Sequence, residues 1–444
     1  MMKLFSRNRT EPQQQQSQRQ TAALAPNALS KLSRVLTSPR PQATSGLPIE
    51  GNKTCRDLLD RLQIPINAAT PDQVESEQVR DRGQFLARQE RWEELEDLIR
   101  THDQNRASTA TGTPLAELML FGARADVVRA AEHALLHGRP AEDADFFSGI
   151  EAMEYLLEDY PDSYPMALVV AHMHIDVGWA WRGAASKEDI RELNREAFHA
   201  HFDRASDILS RYCPKQHHSP ALSAARCALL PGEHQPLNTL CSEFESLIAL
   251  DPLNPRHMRA LGNYLLPRWY GDFDQLDLQA RRIAAQTYDI WGAGAYAWVW
   301  FDALLVDPTG LEMLEIEYFI DGVTDALQRR GDQHSANLMA AQLYRSWQHA
   351  RAQYGVDGLR EDLPPALRQA FEMVVRKHLR EIHPLIWGHA EIGFENTARV
   401  ISKERLSAKG KDVALQAVAM PFMSGLQAGQ TVYFTPEGIT QVNP

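Results

Sequence analysis

From about residue 70 onward, apolar side chains recur at intervals of three and four almost without a break. This is the spacing of a helix with one buried face. Phe146, Ile150, Met153, Leu157 and Tyr160 form one such stripe, with Phe147 and Leu156 beside it; Phe273, Leu276, Ala280 and Ile283 form another. The helix starts are marked too. Thr70-Pro71-Asp72-Gln73 places a hydroxyl at the cap, proline in the first turn and glutamine at the third position, which is a capping box in form. Thr113-Pro114, Ser219-Pro220 and Asn254-Pro255 repeat the cap-then-proline pattern, while Ser186 to Asp189 and Thr309 to Glu312 place an acidic residue at the third position. Strand-like alternation occurs only near the end, where "TVYF" and "ITQV" flank Thr435-Pro436-Glu437-Gly438, predicting a small hairpin.

The prediction is an all-α chain of about a dozen helices joined by short loops. Tyr160-Pro161, Asp251-Pro252 and Asp307-Pro308 stop helices at intervals, so the expected architecture is an α-solenoid of stacked antiparallel helix pairs. Residues 1 to about 50 are polar and glutamine-rich with no sustained period, and are expected to be a disordered arm. The helical domain is expected over 51 to 355, and a C-terminal helical cap carrying the hairpin over 356 to 444. Within the arm, "NALSKLSRVLTS" (27–38) has Leu29, Leu32, Val35 and Leu36 at helical spacing, and so could lie as a short amphipathic helix on a partner or on the body.

Composition adds restraints. The longest apolar stretch, "IWGAGAYAWVWF" (290–301), ends at Asp302 and is too short to span a bilayer. It reads as a helix buried on both sides, with Trp298 and Phe301 on one and Trp300 and Tyr296 on the other; its glycines let a neighbour approach. No secretory core is seen at the N-terminus, and Cys55, Cys213, Cys227 and Cys241 form no CxxC pair, so a cytoplasmic location is expected. The first fifty residues carry a net +5, which leaves −17 on the remainder of a chain whose total is −12. Such a body repels phosphate backbones. Nucleic-acid contact is therefore expected, if anywhere, from the basic arm.

Three stretches carry a resemblance. "GQFLARQERWEELEDLI" (83–99) resembles a tetratricopeptide repeat, with Gly83, Leu86, Leu95 and Ile99 at its packing positions. Leu95 stands where that family usually has alanine, and no clean 34-residue period runs through 70–350. "AWRG" (Ala180 to Gly183) and "LLPRWYGD" (Leu265 to Asp272) resemble an uncharacterised bacterial domain family of degenerate helix pairs, over about residues 145 to 310. That resemblance implies a TPR-like helical fold and no activity.

No nucleophile elbow, phosphate-binding loop or dinucleotide motif occurs. His172 and Asp176 lie four apart on one predicted face, but one histidine and one carboxylate are too few for a metal. His378, His383, His389, Glu391 and Glu395 match no helical metal pattern, and His217-His218 beside Cys213 has no second cysteine in range. A metal-dependent hydrolase built on His172, Asp176, His383, His389 and Glu391 stands as the rival. The leading expectation is a non-enzymatic scaffold for a protein partner, with no cofactor and no metal. Its aromatic anchors would supply the binding and its acidic rim would select a basic partner. In "LLPRWYGDFDQL", Pro267 and Gly271 turn the chain, Asp272 caps the next helix, and Trp269 and Tyr270 plug the joint. Arg268, Trp269, Tyr270, Trp181 and Arg182 are the expected contact residues.

Overall fold

A computed structural model describes residues 57–136, 146–183, 189–354, 360–392 and 402–443. The arm expected over 1–50, its helix at 27–38 and the cap at Ser186 lie outside these. The described chain is mostly helical, and its helices divide between two hydrophobic cores. The first core takes α1 (Pro71–Arg88), α2 (Trp92–Gln104), α3 (Leu115–Ala134), α4 (Phe146–Glu154), α5 (Leu156–Asp159), α6 (Tyr164–Arg182), α7 (Glu192–Leu209), α8 (Pro214–His217) and α9 (Pro220–Leu229). The second takes α10 (Leu237–Leu250), α11 (Pro255–Tyr264), α12 (Phe273–Gln286), α13 (Tyr288–Trp291), α14 (Gly294–Val306), α15 (Ile316–Arg329) and α16 (Gln333–Tyr354). It continues through α17 (Leu363–Lys377), α18 (Pro384–Ile392), α19 (Lys403–Ala419) and α20 (Met423–Gln427).

The boundary expected at 355 does not separate two cores, because Tyr354 and Leu363 on either side of it belong to the same one. The division falls at the end of α9, where Leu229 packs into the first core and Cys227 and Leu230 into the second.

Local chemistry explains most helix starts. Thr70 and Gln73 complete the capping box, and Ser219, Asn254 and Asp272 each accept a hydrogen bond from a first-turn amide, meeting donors that have no intrahelical partner. Two expected caps act differently. α3 begins at Leu115 with no side-chain cap, Thr113 being used elsewhere, and the 3₁₀ turn Pro308–Glu312 is capped by Asp307 instead of Thr309. The apolar run 290–301 becomes α13 and α14, and Trp291, Tyr296, Trp298, Trp300 and Phe301 are all buried. Within this core Arg259 of α11 holds Asp302 of α14 through bonds of 2.8 and 2.9 Å.

Two further features set the shape. The expected hairpin forms, β2 (Thr431–Thr435) against β3 (Gly438–Val442), antiparallel. β2 also pairs in parallel with β1 (Leu62–Gln63), aligning Leu62 with Val432. Ile66 bridges Ile382, with bonds of 2.8 Å on either side of the bridge. The segment that precedes α1 therefore packs into the second core through Leu62 and Ile64, and the ends of the described chain meet. An open repeat array, in which each unit touches only its neighbours, has no such closure.

Helix α11 crosses α14 at Gly262, where a Cβ would stand 1.8 Å from the Val299 carbonyl oxygen. A backbone oxygen cannot rotate away, so Gly262→Ala is expected to destabilise by about 2 kcal/mol despite its better helix propensity. Gly331→Ala, whose Cβ would have its nearest neighbour at 3.6 Å, is expected to stay within about 0.5 kcal/mol of the parent. Urea midpoints of the two variants check this.

Candidate functional site

A cleft of about 1110 Å³ separates the two cores. One side comes from the end of α2, the 105–114 loop, α3, His172 of α6 and the exposed side of α9; the other comes from the end of α10, α11, Trp291 and the end of α15. Small side chains set its width. Ala116, Ala221, Ala224, Ala228, Ala249 and Ala260 all line it, so two helix surfaces face each other without filling the space between.

Arginines hold one end of the cleft together. Arg106 Nε donates to the Leu250 carbonyl at 2.6 Å, meeting an unpaired acceptor at the C-terminus of α10, where a cation is also favoured by the helix dipole. Arg330 donates to the carbonyls of Ala110 (2.6 Å) and Thr111 (3.4 Å). Arg256 reaches Thr113 Oγ1 at 3.5 Å and Glu117 at 3.6 Å. Asp72 accepts from the amide and hydroxyl of Thr111. The 105–114 loop is thus tied to three elements of the second core. At Gly112 the backbone has φ +92°, and a Cβ would lie 2.9 Å from the Arg330 guanidinium, so glycine suits this position.

The cleft is lined by Arg106, Arg124, Arg256, Arg329 and Arg330 against three acids, Asp103, Glu117 and Asp251. Asp103 is buried, which raises its pKa, and it is held by Ser219 and by the Ala221 amide at 2.9 Å. Asp251 takes His257 Nε2 at 3.1 Å. Burial, and then the charge of Arg124, push the His172 pKa down to about 3, so the imidazole facing the cleft is neutral near pH 7. The acidic rim expected from the net charge does not lie here.

None of the residues expected as contacts lines the cleft, and Tyr270 reaches it only through a neighbour. Tyr264, which lines it, packs on Tyr270 at 5.9 Å between ring centroids, and Tyr270 lies 6.2 Å from Trp269. Arg268 stands 5.6 Å from the exposed Trp269 ring. The Tyr270 hydroxyl is close enough to Arg182 for each to shift the other's titration, and Arg182 covers Trp179 at 5.7 Å. The "AWRG" and "LLPRWYGD" motifs thus meet in space. Trp181 differs from the expectation: it is 3% exposed and packs in the first core, so it offers no surface. Trp269 does not plug the joint; Tyr270, half-buried, does so alone.

The rival metal set is dispersed. Asp176 pairs with Arg124 at 2.6 Å instead of His172. His383 pairs with Glu381 at 2.7 Å in the segment between α17 and α18, and Glu391 of α18 with Arg345 of α16 at 3.1 Å. Among the described residues no group of three or more histidines, cysteines or carboxylates is placed to hold a metal ion.

Sequence reading missed a buried polar network between α4, α6 and α7. Glu154 accepts from Arg204 at 2.9 and 2.6 Å and from His174 Nε2 at 2.7 Å; His174 Nδ1 in turn shares a hydrogen with His201 Nδ1 at 2.8 Å. Burial alone would raise the Glu154 pKa, but these donors bring it down to about 2. His201 is pushed down to about 3, first by burial and then by His174. None of the four residues lines the cleft.

Searches against family models, curated proteins and solved structures find no match to this chain.

The histidines give a pH prediction. His172 and His201, at about 3, and His334 and His349, at about 4, stay neutral in the fold. The unfolded chain binds protons at these positions below about pH 6.5. Stability is therefore full above that value and is lost as pH falls toward 3, with Glu154 adding loss from about 4.5 down to 2. Urea midpoints across pH 7 to 4 should fall steadily. His201→Gln should flatten the slope by about 1.4 kcal/mol per pH unit, the effect of one proton. An unchanged slope would show that this imidazole is already charged in the fold.

Proposed function

We propose that the protein is a non-enzymatic interaction scaffold whose partner places a segment in the cleft between the two cores. One observation carries this reading: the cleft's facing helices present alanines, leaving a wide and largely apolar channel of about 1110 Å³ in a chain whose other helices pack closely. Packed interiors rarely leave so large a space, and such clefts between structural units are common binding sites. The aromatic joint next to Tyr264 supports it as well. Trp269, Tyr270 and Arg182 are residue types that dominate binding energy when a partner covers them, with Tyr264 carrying the contact into the cleft.

The test is affinity capture from the native cell with nuclease present, comparing the parent chain with Ala224→Trp and Trp269→Ala. Both positions are partly or fully exposed, so neither change should alter the fold, as circular dichroism would verify. A stoichiometric protein is expected on the parent, reduced about tenfold or more by Ala224→Trp and less by Trp269→Ala. Equal retention by all three chains would place binding elsewhere and sink the proposal.

A further inference from the structure

We infer that the cleft's occupant is an acidic peptide segment, with carboxylates that meet the arginines and apolar side chains that pack on the alanines between them. This rests on the cleft being the partner's site and adds the partner's chemistry.

The charge distribution points this way. The chain carries −12 overall, yet this cleft is lined by five arginines and three acids. Those acids are already engaged: Asp103 by Ser219 and the Ala221 amide, Asp251 by His257, and Glu117 by Arg256. Two of the five arginines are paired, Arg124 with Asp176 at 2.6 Å and Arg256 with Glu117 at 3.6 Å, and the other three are less fully neutralised. Arg106 donates only to backbone carbonyls, Arg330 mainly so with Asp332 at 3.8 Å, and among the described residues Arg329 makes no ion pair. Concentrating like charge in a cleft of low polarity is unfavourable by itself and becomes favourable when an anion enters. The guanidinium fork suits carboxylates, which it can hold through two parallel bonds.

A peptide fits better than a nucleic acid. A polyphosphate strand would extend past the cleft over an acidic surface, whereas a short segment ends within it. The walls between the arginines are also alkyl: Ala224, Ala228 and Ala260 offer nothing to a phosphate or a sugar. Charge complementarity of this kind raises association rate and sets specificity, with apolar contact supplying the rest.

The experiment pans a random short-peptide display library on the full chain. Hits are then synthesised and measured by fluorescence anisotropy at low and physiological salt, with a single-stranded oligonucleotide as a second probe. Two variants accompany the parent. Arg329→Glu reverses an exposed charge that takes no part in tying the 105–114 loop, and Ala224→Trp fills the channel. The expected result is acidic hits whose affinity falls with salt, and falls about tenfold or more in each variant. Neutral or basic hits that Ala224→Trp abolishes would overturn the acidic assignment and leave the cleft as the binding site. Acidic hits unaffected by Ala224→Trp, or no hits, would overturn both readings. Oligonucleotide binding that competes with the peptides would replace the peptide with a nucleic acid.

Discussion

Residues 61 to 67 run along the C-terminal part of the chain through backbone bonds of 2.8 to 2.9 Å, to Val432 and on both sides of Ile382. The rest of the arrangement depends on this pairing. It joins positions more than three hundred residues apart, so closing that loop is entropically costly and must be offset by burial of Leu62 and Ile64 in the second core. Once made, it ties the first core to the second at two places: ahead of α1 and after α9. A body held at one point swings freely, while one held at two can only turn about the line between them. The cleft is what that geometry leaves open.

The second set of ties then acts on the 105–114 loop. Arg106, Arg256 and Arg330 bond carbonyls and a hydroxyl across the cleft. Each of these contacts is partly exposed and modest in energy, so the loop is held by their number and by the Thr111–Asp72 bonds behind it. An arginine that spends its donors on carbonyls keeps its full charge, since carbonyls are neutral. Arg106 and Arg330, which help hold the loop, therefore also bring positive charge to the cleft of an acidic protein. Structure and electrostatics come from one device.

Much of this was readable from the chain. Helical spacing, the caps at Thr70, Ser219, Asn254 and Asp272, the burial of α14 and the terminal hairpin all follow from local chemistry that a sequence displays. The two-residue strand β1 did not, because Leu62-Gln63 has no pattern of its own and becomes a strand only against Val432. The cleft arginines were equally hidden. Arg106, Arg256 and Arg330 lie in three segments far apart in the sequence. Nothing local marks them until the closure brings their segments together. The network of Glu154, His174, His201 and Arg204 draws on three helices and escaped notice for the same reason. His174, two residues from His172 on the same helix, points away from the face shared by His172 and Asp176 and into the core, where its partners are.

The "AWRG" and "LLPRWYGD" motifs show how a local explanation can be right and incomplete. Pro267, Gly271 and Asp272 turn the chain and start α12 as helix chemistry requires: Trp269 N bonds Leu266 O at 2.8 Å, and Asp272 caps at 2.8 Å. A turn needs none of the aromatic character at 269 and 270, and a buried joint would hide both rings. Only Tyr270 is half-hidden, between Tyr264 and Arg182, while Trp269 is 46% exposed with Arg268 over it. Isolated exposed apolar residues need no explanation. Trp269's neighbour Tyr270 meets Arg182 of α6, a helix whose other positions not buried are His172, Asp176, Trp179 and Ala180, spaced to share one face. That face begins at His172 in the cleft, while Asp176, Trp179 and Ala180 line a separate, smaller pocket against α3. The joint is therefore linked to the cleft through the Tyr264–Tyr270 contact and not through this helix face.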